Sequence, residues 1–157
     1  MGGGVAPAEG SPALSLSRAQ HDAIVGHCRS AVFEQWGEDF LIEACGLLAG
    51  PMLDGEPTGE ITQMYPCRNA EESARLYTVD SRDLLRAMRD AEERGDEIVG
   101  VWHSHTHTEA YPSGTDVRQA ADPAWYYVIV SLRDAEPSVR AFRIRDEKIT
   151  EVDVSVA

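Results

Sequence analysis

The chain has 157 residues, of which 43% are hydrophobic and 26% are charged, proportions typical of one globular domain. Its 14 basic and 27 acidic residues give a net charge of −13, which disfavours nucleic acid and anionic membrane surfaces as partners. No apolar run approaches the roughly 20 residues that span a bilayer, and the N-terminus lacks the features of a secretory signal. We therefore predict a cytoplasmic protein.

The hydrophobic pattern predicts alternating strands and helices. Residues 1–13 are rich in Gly, Pro and Ala and predict a flexible tail before a single domain over residues 14–157. The predicted elements are a helix from a cap at Ser15 or Ser17 to about Gln35; strands over 44–49, 60–67 and 76–79; a helix from Asp80 to Gly95; a strand over 97–102; a helix from Ser113 to about Ala121; and strands over 125–132, 139–145 and 149–156. This order favours an α/β fold with one mixed sheet and flanking helices, and a hairpin turn is expected at Asp146-Glu147.

Histidines are concentrated at the end of one predicted strand. Three of the chain's five histidines are His103, His105 and His107, directly after the apolar run that ends at Trp102. Residues i and i+2 of a strand point to the same face, so His103 and His105 can direct two imidazoles at one point. Two imidazoles in this arrangement suit a metal ion such as Zn²⁺.

A third metal ligand is available further along the chain. Seven residues separate His105 from Ser113, and two more separate Ser113 from Asp116. If a helix begins at Ser113, Asp116 lies in its first turn and its carboxylate can turn back toward the strand end. Two histidines and one carboxylate leave the fourth tetrahedral position open, as in catalytic zinc sites.

Two further side chains suit hydrolysis at such a site. Glu43 precedes the apolar run Ala-Cys-Gly-Leu-Leu and is a candidate general base, because a carboxylate entering a buried strand needs a partner. Ser113 is a candidate hydrogen-bond donor to an oxyanion.

Simpler readings of the same residues stay open at this point. Ser113 and Asp116 also have the spacing of a helix capping box. Cys45 could act as a thiol nucleophile with His103 as its base, although a lone cysteine in an apolar run is usually a buried core residue. The three cysteines, Cys28, Cys45 and Cys67, are odd in number and far apart, so they indicate neither a disulfide framework nor a paired zinc knuckle.

The whole pattern resembles a known family. An upstream Glu, then His-Ser-His, seven residues, Ser, two residues and Asp is the signature of the JAMM (MPN+) zinc metalloproteases. This chain matches it without a departure in spacing, and the segment over 43–48 is similar to the family's first-strand segment. The resemblance extends over residues 14–156. It implies the JAMM/MPN fold, which is a cytidine-deaminase-like α/β sandwich.

The resemblance also implies a reaction and a role for each motif residue. His103, His105 and Asp116 would bind zinc, Glu43 would carry a proton from water to the leaving amine, and Ser113 would stabilise the oxyanion. The bond cleaved would be an amide or isopeptide after the C-terminal Gly-Gly of a ubiquitin-like protein.

A narrower resemblance comes from the loop between the histidines and Asp116. The segment over 103–116 is similar to the compact bacterial branch known as Mec, whose members hydrolyse an adduct of cysteine with the ubiquitin-like sulfur carrier CysO and release cysteine. From its place in this loop, Tyr111 is a candidate substrate contact. His107 is a candidate substrate contact as well, or a group that supports the metal ligands, or a solvated side chain. The alternatives are trimming of a carrier precursor to expose Gly-Gly and a non-catalytic MPN interaction module. The oligomeric state is left open.

Overall fold

The computed structural model describes residues 11–157. Within this range the chain forms the helices α1 (Arg18–Ser30), α2 (Ser81–Glu93) and α3 (Gly114–Gln119). The strands are β1 (Leu14–Leu16), β2 (Val32–Gln35), β3 (Glu38–Leu41), β4 (Cys45–Gly50), β5 (Met52–Leu53), β6 (Glu56–Pro57), β7 (Gln63–Cys67), β8 (Glu97–His105), β9 (Tyr126–Ser131), β10 (Ser138–Arg145), β11 (Lys148–Val152) and β12 (Val154–Val156). None of the helices formed by residues 11–157 is long and apolar enough to cross a membrane.

A six-stranded sheet forms the centre of the domain. Its strand order is β11-β10-β9-β8-β4-β7. Strands β8 and β9 run parallel, whereas the other neighbouring strands run antiparallel. The predicted α/β architecture with one mixed sheet is confirmed, and β8 lies in the interior of the sheet.

Helices cover the two faces of this sheet. On one face, Ile24 and Cys28 of α1 belong to the same core cluster as Trp102 of β8. On the other face, Ala87 of α2 belongs to a cluster with Val101 of β8. Because side chains alternate along a strand, the residues of β8 that follow Val101 in steps of two face the α2 side of the sheet.

Gly46 allows β4 to pack tightly against β8. It is paired with Trp102, whose side chain is fully buried, and a Cβ atom at Gly46 would overlap the indole ring. We expect Gly46→Ala to lower the free energy of unfolding by about 1–3 kcal/mol, the usual cost of overpacking a core. Urea denaturation measures this change.

The control is Gly26→Ala on the exposed side of α1, where a Cβ meets open space. This substitution is expected to raise the free energy of unfolding by roughly 0.5–1 kcal/mol. An unchanged urea midpoint for Gly46→Ala would contradict the packing argument.

The first helix is shorter than predicted. The predicted cap at Ser17 is confirmed, but α1 ends at Ser30 rather than near Gln35, and residues 32–35 form β2, which pairs with β3. Trp36 and Gly37 form the turn with φ of +54° and +79°, as a two-residue hairpin requires. Aromatic and β-branched residues favour strand pairing here over continuation of the helix.

The predicted strand over 76–79 is also wrong. Only Val79 forms an isolated bridge, to Asn69. The Asn69 side chain takes up the backbone groups that a strand would use: its amide donates to Leu76 O at 2.9 Å and its oxygen accepts from Thr78 N at 3.1 Å. A side chain that bonds to nearby backbone groups replaces the strand ladder.

The C-terminal segment forms two strands instead of one. Strand β11 pairs with β10 across the predicted hairpin turn, where Asp146 and Glu147 have positive φ. After Asp153 the chain leaves the sheet, and β12 pairs in parallel with β1. Most of the predicted tail lies outside the described residues, but the Pro12 carbonyl accepts a hydrogen bond from the Tyr126 hydroxyl at 2.9 Å.

Candidate metal centre

Strand β8 brings two histidines to the centre of the fold. It extends to His105, three residues beyond the predicted end at Trp102, so His103 and His105 are part of the strand and pair with β9. Their side chains are buried, with 2% and 5% of their surface exposed. The two imidazoles therefore share the α2 side of the sheet, as the alternation predicted.

Helix α3 places Asp116 against these imidazoles. Asp116 Oδ2 lies 3.0 Å from His105 Nε2 and 3.2 Å from His103 Nε2, and the two Nε2 atoms are 3.2 Å apart. The carboxylate is held in place because its Oδ2 accepts a hydrogen bond from Ser113 N at 2.9 Å, and Ser113 Oγ accepts one from Asp116 N at 3.1 Å. Ser113 and Asp116 thus form a capping box, and the same carboxylate faces the histidines.

The three atoms that converge here form the donor set of a cation site. The Nδ1 of His105 donates to Glu109 O at 2.8 Å, so the Nε2 of the neutral ring presents a lone pair to the carboxylate. A cation placed between such electron-rich atoms would be stabilised by all three of them. Ligands of a tetrahedral zinc ion with bonds of about 2.0–2.1 Å lie about 3.3 Å apart, so these three atoms fit a divalent metal ion.

The remaining contacts of the cluster fix the ring of His103 and the charge of Asp116. Tyr77 stacks on His103 with ring centroids 4.2 Å apart, and burial lowers the pKa of His103. Burial opposes ionisation of Asp116, but its contacts with His103 and His105 and the hydrogen bond from Ser113 N outweigh it and hold the pKa of Asp116 well below its usual range. The carboxylate is therefore ionised and attracts a cation.

Glu43 lies beside the cluster although it is 60 residues earlier in the sequence than His103. Its side chain is 5% exposed, and burial raises the pKa of Glu43 to about 8, with His105 opposing and Asp116 adding to the rise. Its backbone N donates to Ser73 O at 2.8 Å, and its carbonyl accepts from Asn69 Nδ2 at 3.0 Å. The segment that follows β7 therefore fixes the position of Glu43.

A cleft of about 630 Å³ gives access to this group of side chains. Its lining residues come from the segment before β4, the loop after β7, the end of β8 with the loop that follows it, and the start of α3. They are Glu43, Ala74, Arg75, His105, Thr106, His107, Thr108 and Ser113. The predicted base, one predicted metal ligand and the predicted oxyanion donor therefore share one opening.

The two weaker candidates lie in different places. His107 is exposed and lines the cleft, with Nδ1 2.6 Å from Thr106 Oγ1. Tyr111 packs edge-on against Phe142 with ring centroids 5.4 Å apart, away from the cleft-lining residues. The structure thus brings His107 to the candidate site and places Tyr111 outside it.

Four residues that the sequence analysis missed also shape the site. Asn69 ties the loop to Glu43, Tyr77 packs on His103, Arg75 lines the cleft, and Ser104 Oγ accepts a hydrogen bond from Ala44 N at 2.8 Å. Ser104 lies within the His-Ser-His motif and could have been found there. The other three are brought to the site by the loop after β7, where no motif spacing marks them.

The cysteines are unsuited to nucleophilic chemistry. Cys28, Cys45 and Cys67 are buried, free thiols, and burial raises the pKa of each to about 12. Because the thiolate is the reactive form, we expect no thiol of the native protein to react with an aromatic disulfide reagent at pH 7.5. All three should react in denaturant, which serves as the control. Rapid reaction of one native thiol would contradict this expectation.

Comparison with known proteins agrees with the geometry. A family model described as prokaryotic homologs of the JAB domain matches residues 19–145. A Mycobacterium tuberculosis protein named CysO-cysteine peptidase is 41% identical over 136 residues, which cover 86% of this chain and 85% of the relative. A Haloferax volcanii protein named desampylase is 31% identical over 122 residues, which cover 77% of this chain and 82% of the relative.

The fold is shared with a protein of known structure. The solution structure of a Desulfitobacterium hafniense protein matches with a TM-score of 0.77 at 30% sequence identity, covering 91% of this chain and 92% of that protein. The resemblance inferred from the motif residues is therefore confirmed at the level of family and fold. The chain belongs to the family of prokaryotic JAB-domain (JAB/MPN) proteins.

Proposed function

We propose that this protein is a cytoplasmic, zinc-dependent hydrolase whose catalytic domain spans residues 14–157. The proposed reaction is cleavage of the amide bond between the C-terminal Gly-Gly of a ubiquitin-like sulfur carrier and cysteine. The observation that carries the proposal is the convergence of His103, His105 and Asp116, with donor atoms 3.0–3.2 Å apart. His105 also lines a cleft together with Glu43. The relative named CysO-cysteine peptidase supports the choice of substrate.

The three donor atoms would hold the zinc ion. Two imidazole nitrogens and one carboxylate oxygen are a ligand set typical of catalytic zinc, which leaves a coordination position for water or substrate. When bound, zinc supplies Lewis acidity that polarises a carbonyl and lowers the pKa of water to about 7. The hydrogen bond from His105 Nδ1 to Glu109 O keeps the liganding nitrogen unprotonated and oriented.

Glu43 would move the proton. Within residues 11–157 its carboxylate oxygens accept no hydrogen bond from the protein, so they are free to accept one from the attacking water. Its pKa of about 8 lies near neutral pH, which suits a group that first accepts a proton and then returns it to the leaving amine.

Ser113 would stabilise the oxyanion. Its Oγ already accepts a hydrogen bond from Asp116 N, which leaves the hydroxyl proton free to be donated. Because Ser113 lines the cleft, that proton can be directed at the oxygen of the attacked carbonyl. The capping role and the catalytic role are thus compatible in one side chain.

An intact-mass assay tests the proposed reaction. The carrier with cysteine after Gly-Gly is incubated with the zinc-loaded protein, with and without a chelator. We expect loss of one cysteine residue, blocked by the chelator. Cleavage of a longer precursor tail in preference to cysteine would favour carrier maturation. Bound zinc without hydrolysis of either carrier would favour a non-catalytic interaction module.

A further inference from the structure

One wall of the cleft carries a positive charge that the proposed chemistry does not use. Arg75 lines the cleft together with Glu43, His105 and Ser113. It is exposed, and within residues 11–157 its guanidinium forms no ion pair or hydrogen bond with the protein. Arg75 is therefore available to a ligand in the cleft.

The loop fixes the backbone of Arg75 relative to the site. Arg75 N donates to Ser73 Oγ at 3.0 Å, and the carbonyl of Ser73 accepts from Glu43 N at 2.8 Å. On the other side, Thr106 Oγ1 donates to Ala74 O at 3.1 Å, which ties the loop to the residue after β8. Three hydrogen bonds thus connect this arginine to the elements that carry the candidate base and the metal ligands.

The charges of the site explain why a cation is needed on this wall. Glu43 lines the cleft and Asp116 lies against His105, which also lines it. An anionic ligand in the cleft therefore meets two carboxyl groups, in a protein with a net charge of −13. A single amino acid attached through its α-amine has its α-carboxylate next to the bond to be cleaved. Among the described residues that line the cleft, Arg75 is the only one that carries a full positive charge at neutral pH.

We propose that Arg75 binds the free α-carboxylate of a single amino acid on the leaving-group side of the scissile bond. Arginine suits this role because its guanidinium pairs with a carboxylate through two parallel hydrogen bonds. The cleft then selects carriers that end one residue after Gly-Gly over carriers linked to a lysine side chain or to a longer tail. This inference rests on the proposed function and defines the class of bond that the site accepts.

Substrates with and without the carboxylate test the inference. The carrier is prepared with a terminal cysteine as the free acid, as the C-terminal amide, and with one further alanine. The zinc-loaded wild type is compared with Arg75→Met, with Arg75→Lys, which keeps the charge but loses the paired geometry, and with His107→Gln. Arg89→Met on α2, an exposed arginine outside the cleft, is the matched control.

We expect the wild type to prefer the free acid over the amide by about 10- to 100-fold in kcat/KM, the usual weight of a charge-assisted hydrogen bond. Arg75→Met should lose this preference because only hydrolysis of the free-acid carrier becomes slower. Arg75→Lys should keep part of the preference, and Arg89→Met should keep all of it. The ratio of kcat/KM for two substrates of the same variant does not change if a smaller fraction of that variant is folded.

Several results would overturn the inference. The first is that the wild type hydrolyses the free-acid and amide carriers at equal rates. The second is that Arg75→Met keeps the preference for the free acid. The third is that His107→Gln, rather than Arg75→Met, loses that preference. These outcomes leave the proposed hydrolase intact. No hydrolysis of any of the three carriers by the wild type would overturn the proposed function and this inference together.

Discussion

Glu43→Gln should lower kcat by about 10²–10⁴-fold, the usual contribution of a general base, while zinc content stays at the wild-type level. Glutamine keeps the size and polarity of the side chain but cannot accept and return a proton. Glu43 is not among the three clustered donor residues, so metal binding should not depend on it. Steady-state hydrolysis of the carrier adduct and metal analysis of the same sample provide the two measurements.

Glu136→Gln is the matched control for this substitution. Glu136 is exposed and does not line the cleft, so its change to glutamine should leave both kcat and zinc content unchanged. Wild-type turnover in Glu43→Gln would remove Glu43 from the mechanism. Loss of zinc together with activity would show that Glu43 supports the metal site rather than proton transfer.

Asp116→Ala should abolish both zinc binding and hydrolysis. The substitution removes one of three donor atoms and the negative charge that balances the cation. Zinc affinity should therefore fall by more than the roughly 10- to 100-fold that follows removal of a residue that only hydrogen-bonds to a ligand. Added zinc should raise the melting temperature of the wild type, because a ligand that binds only the folded state stabilises it. The variant should show no such rise.

The capping box requires a control of its own. Asp116 also accepts a hydrogen bond from Ser113 N, so its removal weakens the start of α3 by about 0.5–2 kcal/mol. Gln20→Ala breaks the equivalent capping box at Ser17 in α1. This variant should lose a similar amount of stability and still bind zinc. Zinc-dependent stabilisation retained in Asp116→Ala would show that Asp116 is not a ligand.

The three clustered donor residues could be predicted because their geometry is local. His103 and His105 share a face through the two-residue period of a strand, and Asp116 is fixed by a capping box that spans only Ser113 to Asp116. Each relation depends on neighbours within a few residues. The motif spacing therefore carried most of the information about this cluster.

The elements that were predicted wrongly depend on contacts between distant residues. Val32 continues the helical spacing of Cys28 and Ala31, yet residues 32–35 form β2 because β3 is available to pair with them. Residues 76–79 are Leu-Tyr-Thr-Val, mostly residue types that favour strands. The Asn69 side chain nevertheless bonds to the backbone of Leu76 and Thr78. Hydrophobic period alone cannot show which partner a segment will find.

By itself, the sequence determined the family, the mixed α/β architecture and the identity of the clustered side chains, because these depend on spacing and on strand and helix periodicity. Only the tertiary structure decided which distant residues join them. Strand β4 pairs with both β7 and β8, and this long-range pairing carries Glu43 and the loop of Arg75 to the histidines. Contacts across such sequence distances are fixed by packing of the whole sheet, which no local pattern encodes.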